Sequence, residues 1–217
     1  MFLVPVPLLR RLELALLAPQ LARAEVEAGC AAAIKYDCLA VIVKPAYIEV
    51  ARKALKETRI KVVSVVGFPH GGASAATKMY ETQDILQRGA EEIAMVINVG
   101  ALRDREDLIV RNDITGVVKT SRGNPVTVIL ETGMLTDEEK VRGCKIAEAA
   151  KAAFVQNMTG FCSGLTSPAD IQILRAACPE LKTKAAGDIE SLDAALAMIG
   201  AGAERIVLSQ IEKVLGV

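Results

Sequence analysis

The sequence predicts a single (β/α)8 TIM barrel in the α/β class, and three observations carry that reading. Short apolar runs alternate eight times with stretches of helical period. The linkers are short, and no Ser- or Gly-rich break divides the 217 residues, so one domain is expected over 1–217 with its core near 12–209. Some runs are apolar without alternation, as strands covered on both faces are. A doubly wound sheet is the structural alternative; eight units in this length favour the closed form.

In chain order, Leu12–Leu17 reads as the first strand, and a helix follows Pro19 over Ala22–Tyr36. Leu39–Val43 is continuously apolar and reads as the second strand, with a helix over Tyr47–Lys56. The third strand, Ile60–Val66, runs into Gly67-Phe68-Pro69-His70-Gly71-Gly72, and the helix Ala75–Arg88 stops at Gly89. Glu92–Asn98 and the helix Asp107–Ser121 form the fourth unit. The fifth strand, Val126–Leu130, ends at Glu131. Its helix opens at Thr136, with Glu139 three residues on completing a capping box. Ala152–Gln156 is the sixth strand and breaks into a polar turn, Asn157 to Gly160. Ser167 caps the next helix, with Pro168 at its first position. Leu181–Ala185 and Ser191–Ile199 form the seventh unit. Glu204–Leu208 is the eighth strand, and a short closing helix follows Gln210.

Composition narrows the function. Apolar residues make up 52% of the chain but aromatics only 3%, so Ala, Val, Ile and Leu fill the core. Twenty-six basic residues balance 26 acidic ones, leaving no net field to gather nucleic acid. Five scattered cysteines, an odd number with no CxxC pair, point to a reduced, cytoplasmic protein without a disulfide framework or a zinc site. The apolar N-terminus is broken by prolines, arginines and Glu13, so no membrane span is expected. Exposed apolar residues in Phe2–Leu9 would suit self-association as a homodimer, or would plug the barrel floor.

Barrel chemistry gathers at the C-terminal ends of the strands. The residues expected there are Glu13, Lys44, His70, Asn98, Glu131, Gln156, Asn157, Thr159, Lys184, Asp188 and Ser209. Alternation puts Lys182 and Lys184 on one face of the seventh strand. An inward lysine loses solvation, which frees its amine for imine chemistry; the plainer alternative pairs Lys184 with Glu131 or Asp188. Asp188 would serve as a general base in a dry pocket, or simply cap Ile189-Glu190-Ser191. Glu131 would orient a lysine or satisfy a turn. Lys44 reads as a snorkelling rim residue. A lone His70 is weak evidence for metal, and no metal or other cofactor is expected.

Several segments together resemble the class I deoxyribose-phosphate aldolases. They are Val65–Gly71 with Lys78 and Glu81, Gly89–Leu102, Val128–Thr132, Leu135–Lys140, Thr159–Phe161, Lys184–Gly187 and Gly202–Ile206. The resemblance spans about Leu12 to Ser209. It implies a barrel that makes or breaks a carbon–carbon bond through a lysine imine on a small-molecule substrate, without metal. It also implies an aspartate at position 94, an imine-forming lysine at 156 and a second lysine at 184. Here these are Ala94, Gln156 and Lys184, and a glutamine has no nucleophilic amine. The same resemblance implies Thr-Ser where Asn157-Met158 stand, a lysine at Thr127, a cysteine at Ile42 and an aspartate at Glu13. It implies small phosphate-cradling residues at Leu165, Asp188, Val207 and Leu208.

The expectation is therefore a remodelled site. Lys184, Asp188 and Glu13 are candidate catalytic groups, and Gln156, Asn157, Met158, Ala94, Ile42, Leu208 and Glu131 are candidate substrate contacts. Aldolase- or retro-aldolase-type chemistry on an unphosphorylated, apolar carbonyl compound is one reading. Proton abstraction by Asp188 or Glu13, and an apolar-ligand-binding barrel without catalysis, are the others.

Overall fold

The computed structural model describes residues 6–216. Eight parallel strands close into a barrel in sequence order: β1 (Leu12–Leu16), β2 (Ala40–Val43), β3 (Lys61–Val66), β4 (Glu92–Val96), β5 (Val126–Ile129), β6 (Phe154–Gln156), β7 (Lys182–Ala185) and β8 (Arg205–Leu208). β8 returns to β1 with Glu13 opposite Val207, which seals the sheet and leaves no edge. The helices outside are α1 (Val6–Leu9), α2 (Arg23–Lys35), α3 (Ile48–Ala54), α4 (Ala75–Gln87), α5 (Val99–Arg103), α6 (Asp107–Thr120), α7 (Asp137–Ala149), α8 (Pro168–Ala177), α9 (Leu192–Gly200) and α10 (Ile211–Leu215).

All eight expected strands are present, each shortened by a residue or two. Ala152 and Ala153 lie outside β6, and Ile97 and Asn98 lie outside β4. Two helices were not anticipated. The five-residue α5 is started by Asn98, whose side chain accepts a hydrogen bond from the Ala101 N–H. The other is α1, at the end of the apolar leader. Leu8 of that leader is buried, while Phe2–Pro5 lie outside the described residues.

Two apolar layers hold the barrel. Val41, Val62, Ile93, Met95, Val128, Val155 and Ile206 point outward beneath the helices. Ile42, Val63, Val65, Ala94, Val96, Ile129, Ala186 and Val207 point inward. The period-2 alternation of a strand does this sorting. It fixes which of the candidate residues face the lumen and which do not.

A buried ion pair locks the wall behind β4. The Lys78 ammonium on α4 donates to the Val96 carbonyl at 2.7 Å and pairs with Asp113 on α6. Burial raises the Asp113 carboxyl above its usual range, against the pull of Lys78. Glu81, one turn on, accepts from the Gly67 N–H at 2.7 Å and fixes the loop after β3.

Candidate active site

The inward faces of the strands begin, at the N-terminal end of the barrel, with a cluster of charge. Lys61, Glu92 and Arg205 are the first residues of β3, β4 and β8, and Glu13 is the second of β1. Lys184, third in β7, extends into this cluster. Its ammonium lies 2.9 and 3.0 Å from the two Glu13 carboxylate oxygens and 3.9 Å from Glu92. Arg205 bridges Glu13 and Glu92, at 2.7 Å to each, and Lys61 meets Glu92 at 2.7 Å. The Phe154 ring lies under both cations, 4.6 Å from the Lys184 nitrogen and 4.2 Å from the Arg205 guanidinium carbon.

Burial pushes the Lys184 ammonium below the usual lysine range; Glu13 opposes that shift and Arg205 adds to it. Burial works against the Glu92 carboxylate too, yet Arg205, Lys184 and Lys61 together hold it below the usual carboxylate range. Lys184 is thus inward and desolvated, as expected, but its partner is Glu13. Neither Glu131 nor Asp188 pairs with it. Glu13 is not a strand-end group either: its carboxylate is fully buried in the lower half of the barrel.

Gln156 ends β6 directly beside Lys184 in the sheet register. Its Nε2 donates to the Met158 carbonyl at 2.8 Å. A carbonyl only accepts, so this contact fixes the amide orientation and leaves Oε1 as the free end. That oxygen is buried without a partner, as is Thr127 Oγ1 on β5. Ala94, opposite Thr127, and Ile42 complete the apolar inner wall.

Three candidates are engaged in holding loops. The Asn157 side chain joins the ends of β6 and β7: its amide NH2 donates to the Ala186 carbonyl at 3.0 Å, and its oxygen accepts from the Ala186 N–H at 2.8 Å. The Met158 sulfur accepts from Thr166 at 2.9 Å and is buried. Glu131, in left-handed backbone geometry at φ 58°, accepts the Thr159 N–H and so satisfies a turn. The Leu208 side chain packs in the outer layer, and Val207 takes the inward place. Gly187 is required where Met158 and Thr166 converge. Its φ is +116°, and a Cβ there would come within 2.1 Å of Thr166 Oγ1 and 2.4 Å of Met158 Sδ.

A hollow of about 160 Å3 opens at the C-terminal end of the barrel. Its lining includes Ala15, Leu17, Phe161, Ala186, Asp188 and Val207. Ala15, Ala186 and Val207 stand two residues beyond Glu13, Lys184 and Arg205 on their strands, so the hollow lies one inward layer above the charge cluster. Asp188 is exposed at its rim, which removes the dry surroundings a general base there would need. Phe161 stacks edge-on against Phe68, with centroids 5.2 Å apart. Lys44 is held at the rim by the Ala18, Pro19 and Leu21 carbonyls, and His70 is exposed. Among the described residues no three His, Cys, Asp or Glu side chains converge to hold a metal ion.

A family model for DeoC/LacD family aldolases matches residues 13–159. The chain belongs to this family. A deoxyribose-phosphate aldolase of Bacillus licheniformis is 43% identical over 192 residues, 88% of this chain and 86% of that one. One from Clostridium perfringens is 40% identical over 193 residues, with the same shares covered. Among solved structures, a tetrameric deoxyribose phosphate aldolase from Aeropyrum pernix superposes with a TM-score of 0.91 at 28% identity, covering 98% of this chain and 91% of that one. The relatives are named for an aldolase reaction, so aldolase-type enzymes are this chain's kin.

Arg205 and Glu92, which set the surroundings of Lys184, were not singled out in the sequence. The signal was present: alternation that puts Val207 and Ala94 inward puts Arg205 and Glu92 inward as well.

Proposed function

We propose that the chain is an aldolase- or retro-aldolase-type carbon–carbon lyase. It acts through the Lys184 amine on a small, unphosphorylated, largely apolar carbonyl compound, and its activity on deoxyribose 5-phosphate is lost or very low. One observation carries the reading: Lys184 is a desolvated amine in the lumen, adjacent to a position 156 that has no amine of its own. The Asp188 carboxylate in the lining of the hollow above it supports a substrate without phosphate.

Glu13, at hydrogen-bond distance, takes the proton from the ammonium. The neutral nitrogen adds to the carbonyl carbon, and loss of water gives an iminium. In the cleavage direction, a hydroxyl proton leaves to a base and the adjacent carbon–carbon bond breaks. Its electron pair is taken up by the iminium as an enamine. Protonation at carbon and hydrolysis then return the amine. Because Nζ rests a layer below the hollow, it must leave Glu13 to reach the carbonyl, which favours slow turnover. The buried thiols at Cys30, Cys38, Cys144 and Cys178 suit a reducing, cytoplasmic setting.

The test is borohydride reduction in the presence of propanal, followed by peptide mapping. An adduct on Lys184 that disappears in Lys184→Met is expected; no adduct on Lys184 ends the proposal. The Glu13–Lys184 ion pair also favours a second reading, a ligand-binding barrel in which the lysine only holds the strands together. Tight apolar-ligand binding with no adduct and no turnover would select it. A parallel assay of Gln156→Lys on deoxyribose 5-phosphate isolates the site from the scaffold: recovery in that variant alone would show that the scaffold is intact and the site alone has changed.

A further inference from the structure

The lumen and its mouth hold polar groups without partners, among them two acceptor-only groups, the Gln156 amide oxygen and the Asp188 carboxylate. Gln156 Oε1 is buried on the inward face of β6 without a donor, and Thr127 Oγ1 on β5 is likewise unpartnered. Above them, Asp188 is the one charged residue lining the hollow, and no hydrogen bond or ion pair engages its carboxylate among the described residues. The cations nearby are already held. Lys184 is bound to Glu13 a layer below, Lys44 to three backbone carbonyls, and Lys213, in the adjoining hollow of about 40 Å3, to Glu190 at 2.8 Å. The remaining wall is mixed, with Thr159 and Ser209 beside Ala15, Leu17 and Val207, and the half-exposed Phe161 ring adds an aromatic surface.

A hollow whose one charged group is an uncompensated carboxylate, with an aromatic ring and aliphatic side chains beside it, favours a compact cation on a short hydrocarbon over an anion. The geometry points to an amine-bearing carbonyl compound as the substrate class: its ammonium rests at Asp188 beside Phe161, and its carbonyl end points into the lumen. The carbonyl half of this assignment rests on the imine reading above; the ammonium half rests on the hollow alone. An exposed carboxylate is screened by water and salt, so the selectivity it gives is modest, about two- to fivefold.

The experiment uses the whole protein and three matched probes without a carbonyl: n-butylammonium, butan-1-ol and n-butyl phosphate. Each is titrated at low ionic strength against the amide resonances of Gly187, Asp188 and Ser209. The expected order is butylammonium tightest and butyl phosphate weakest. Asp188→Asn should bring the ammonium and the alcohol level, and Asp188→Lys should invert the order. The proposal is overturned by equal affinities in the parent, by a preference that survives Asp188→Asn, or by no saturable shift with any probe. Lys184 forms no adduct with these probes, so failure here leaves the propanal experiment intact, and failure there leaves this one intact.

Discussion

At the scale of single residues, the site is marked by polar atoms that have lost their partners. Thr127 Oγ1 is buried with no hydrogen bond, and an unsatisfied hydroxyl in an apolar wall costs about 1–3 kcal/mol. Thr127→Val keeps the shape and removes the hydroxyl, so it should stabilise the protein by about 1 kcal/mol in urea unfolding. A destabilised variant would mean that the oxygen has a partner in solution. The thiols give a second prediction. Burial raises the Cys30 thiol to about 11, and burial with Asp37 nearby raises Cys38 to about 12, so neither forms thiolate at neutral pH. Cys162 is the partly exposed one, though burial and Glu131 raise it as well. A thiol-exchange reagent at pH 8 should therefore label one cysteine of the folded protein, slowly, and Cys162→Ser should abolish that signal.

At the scale of elements, the legible features were those that local chemistry determines. Thr136 and Glu139 close a capping box at α7, with the Glu139 carboxylate 2.7 Å from the Thr136 N–H. Ser167 and Pro168 start α8 as their spacing implies. Thr136→Ala should lower stability by about 1 kcal/mol. The Thr136 backbone N–H holds the Glu139 carboxyl below its ordinary value of 4.5. A depressed carboxylate stabilises the fold above its unfolded pKa and loses that contribution as pH falls through the folded one. Urea midpoints of the parent and Glu139→Gln should therefore differ at pH 7 and converge as the pH falls through the lowered folded-state value; a gap that stays constant across that range would argue against the box. What could not be read was set between elements. A five-residue helix such as α5 has too few turns to show a period. The layer in which Glu13 sits depends on the stagger between β8 and β1, which no local pattern encodes. Leu208 lines the hollow from the end of β8, as its place in the chain implies, while alternation turns its side chain to the outer layer and gives the inward place to Val207.

At the scale of the whole molecule, the barrel interior is a charge balance, and position 156 belongs to it. Five ionisable side chains from β1, β3, β4, β7 and β8 form one network, with Lys61, Lys184 and Arg205 set against Glu13 and Glu92. Cations already exceed carboxylates by one, and only Lys61 is substantially open to water. The fold tolerates this because every charge touches an opposite one, and removing one member strands the others. A lysine at 156 would sit directly across the register from Lys184 and add a further buried ammonium with no carboxylate facing it. The neutral amide avoids that burden. Gln156→Lys should therefore be less stable than the parent by about 3 kcal/mol. The strained ammonium should also give up its proton easily and form the borohydride-trapped adduct that Gln156 cannot. Ala94→Asp puts a carboxylate back on the inner face of β4, so the double variant should recover at least half of the lost stability. The measurement is a set of urea midpoints for the parent, both single variants and the double. Ala94→Asp alone should destabilise, since its charge would enter an apolar wall unpaired. The decisive quantity is the coupling between the two substitutions: a favourable value above about 1 kcal/mol shows that the interior balances charge as one body, and strictly additive effects would show that position 156 is energetically separate from the rest of the lumen.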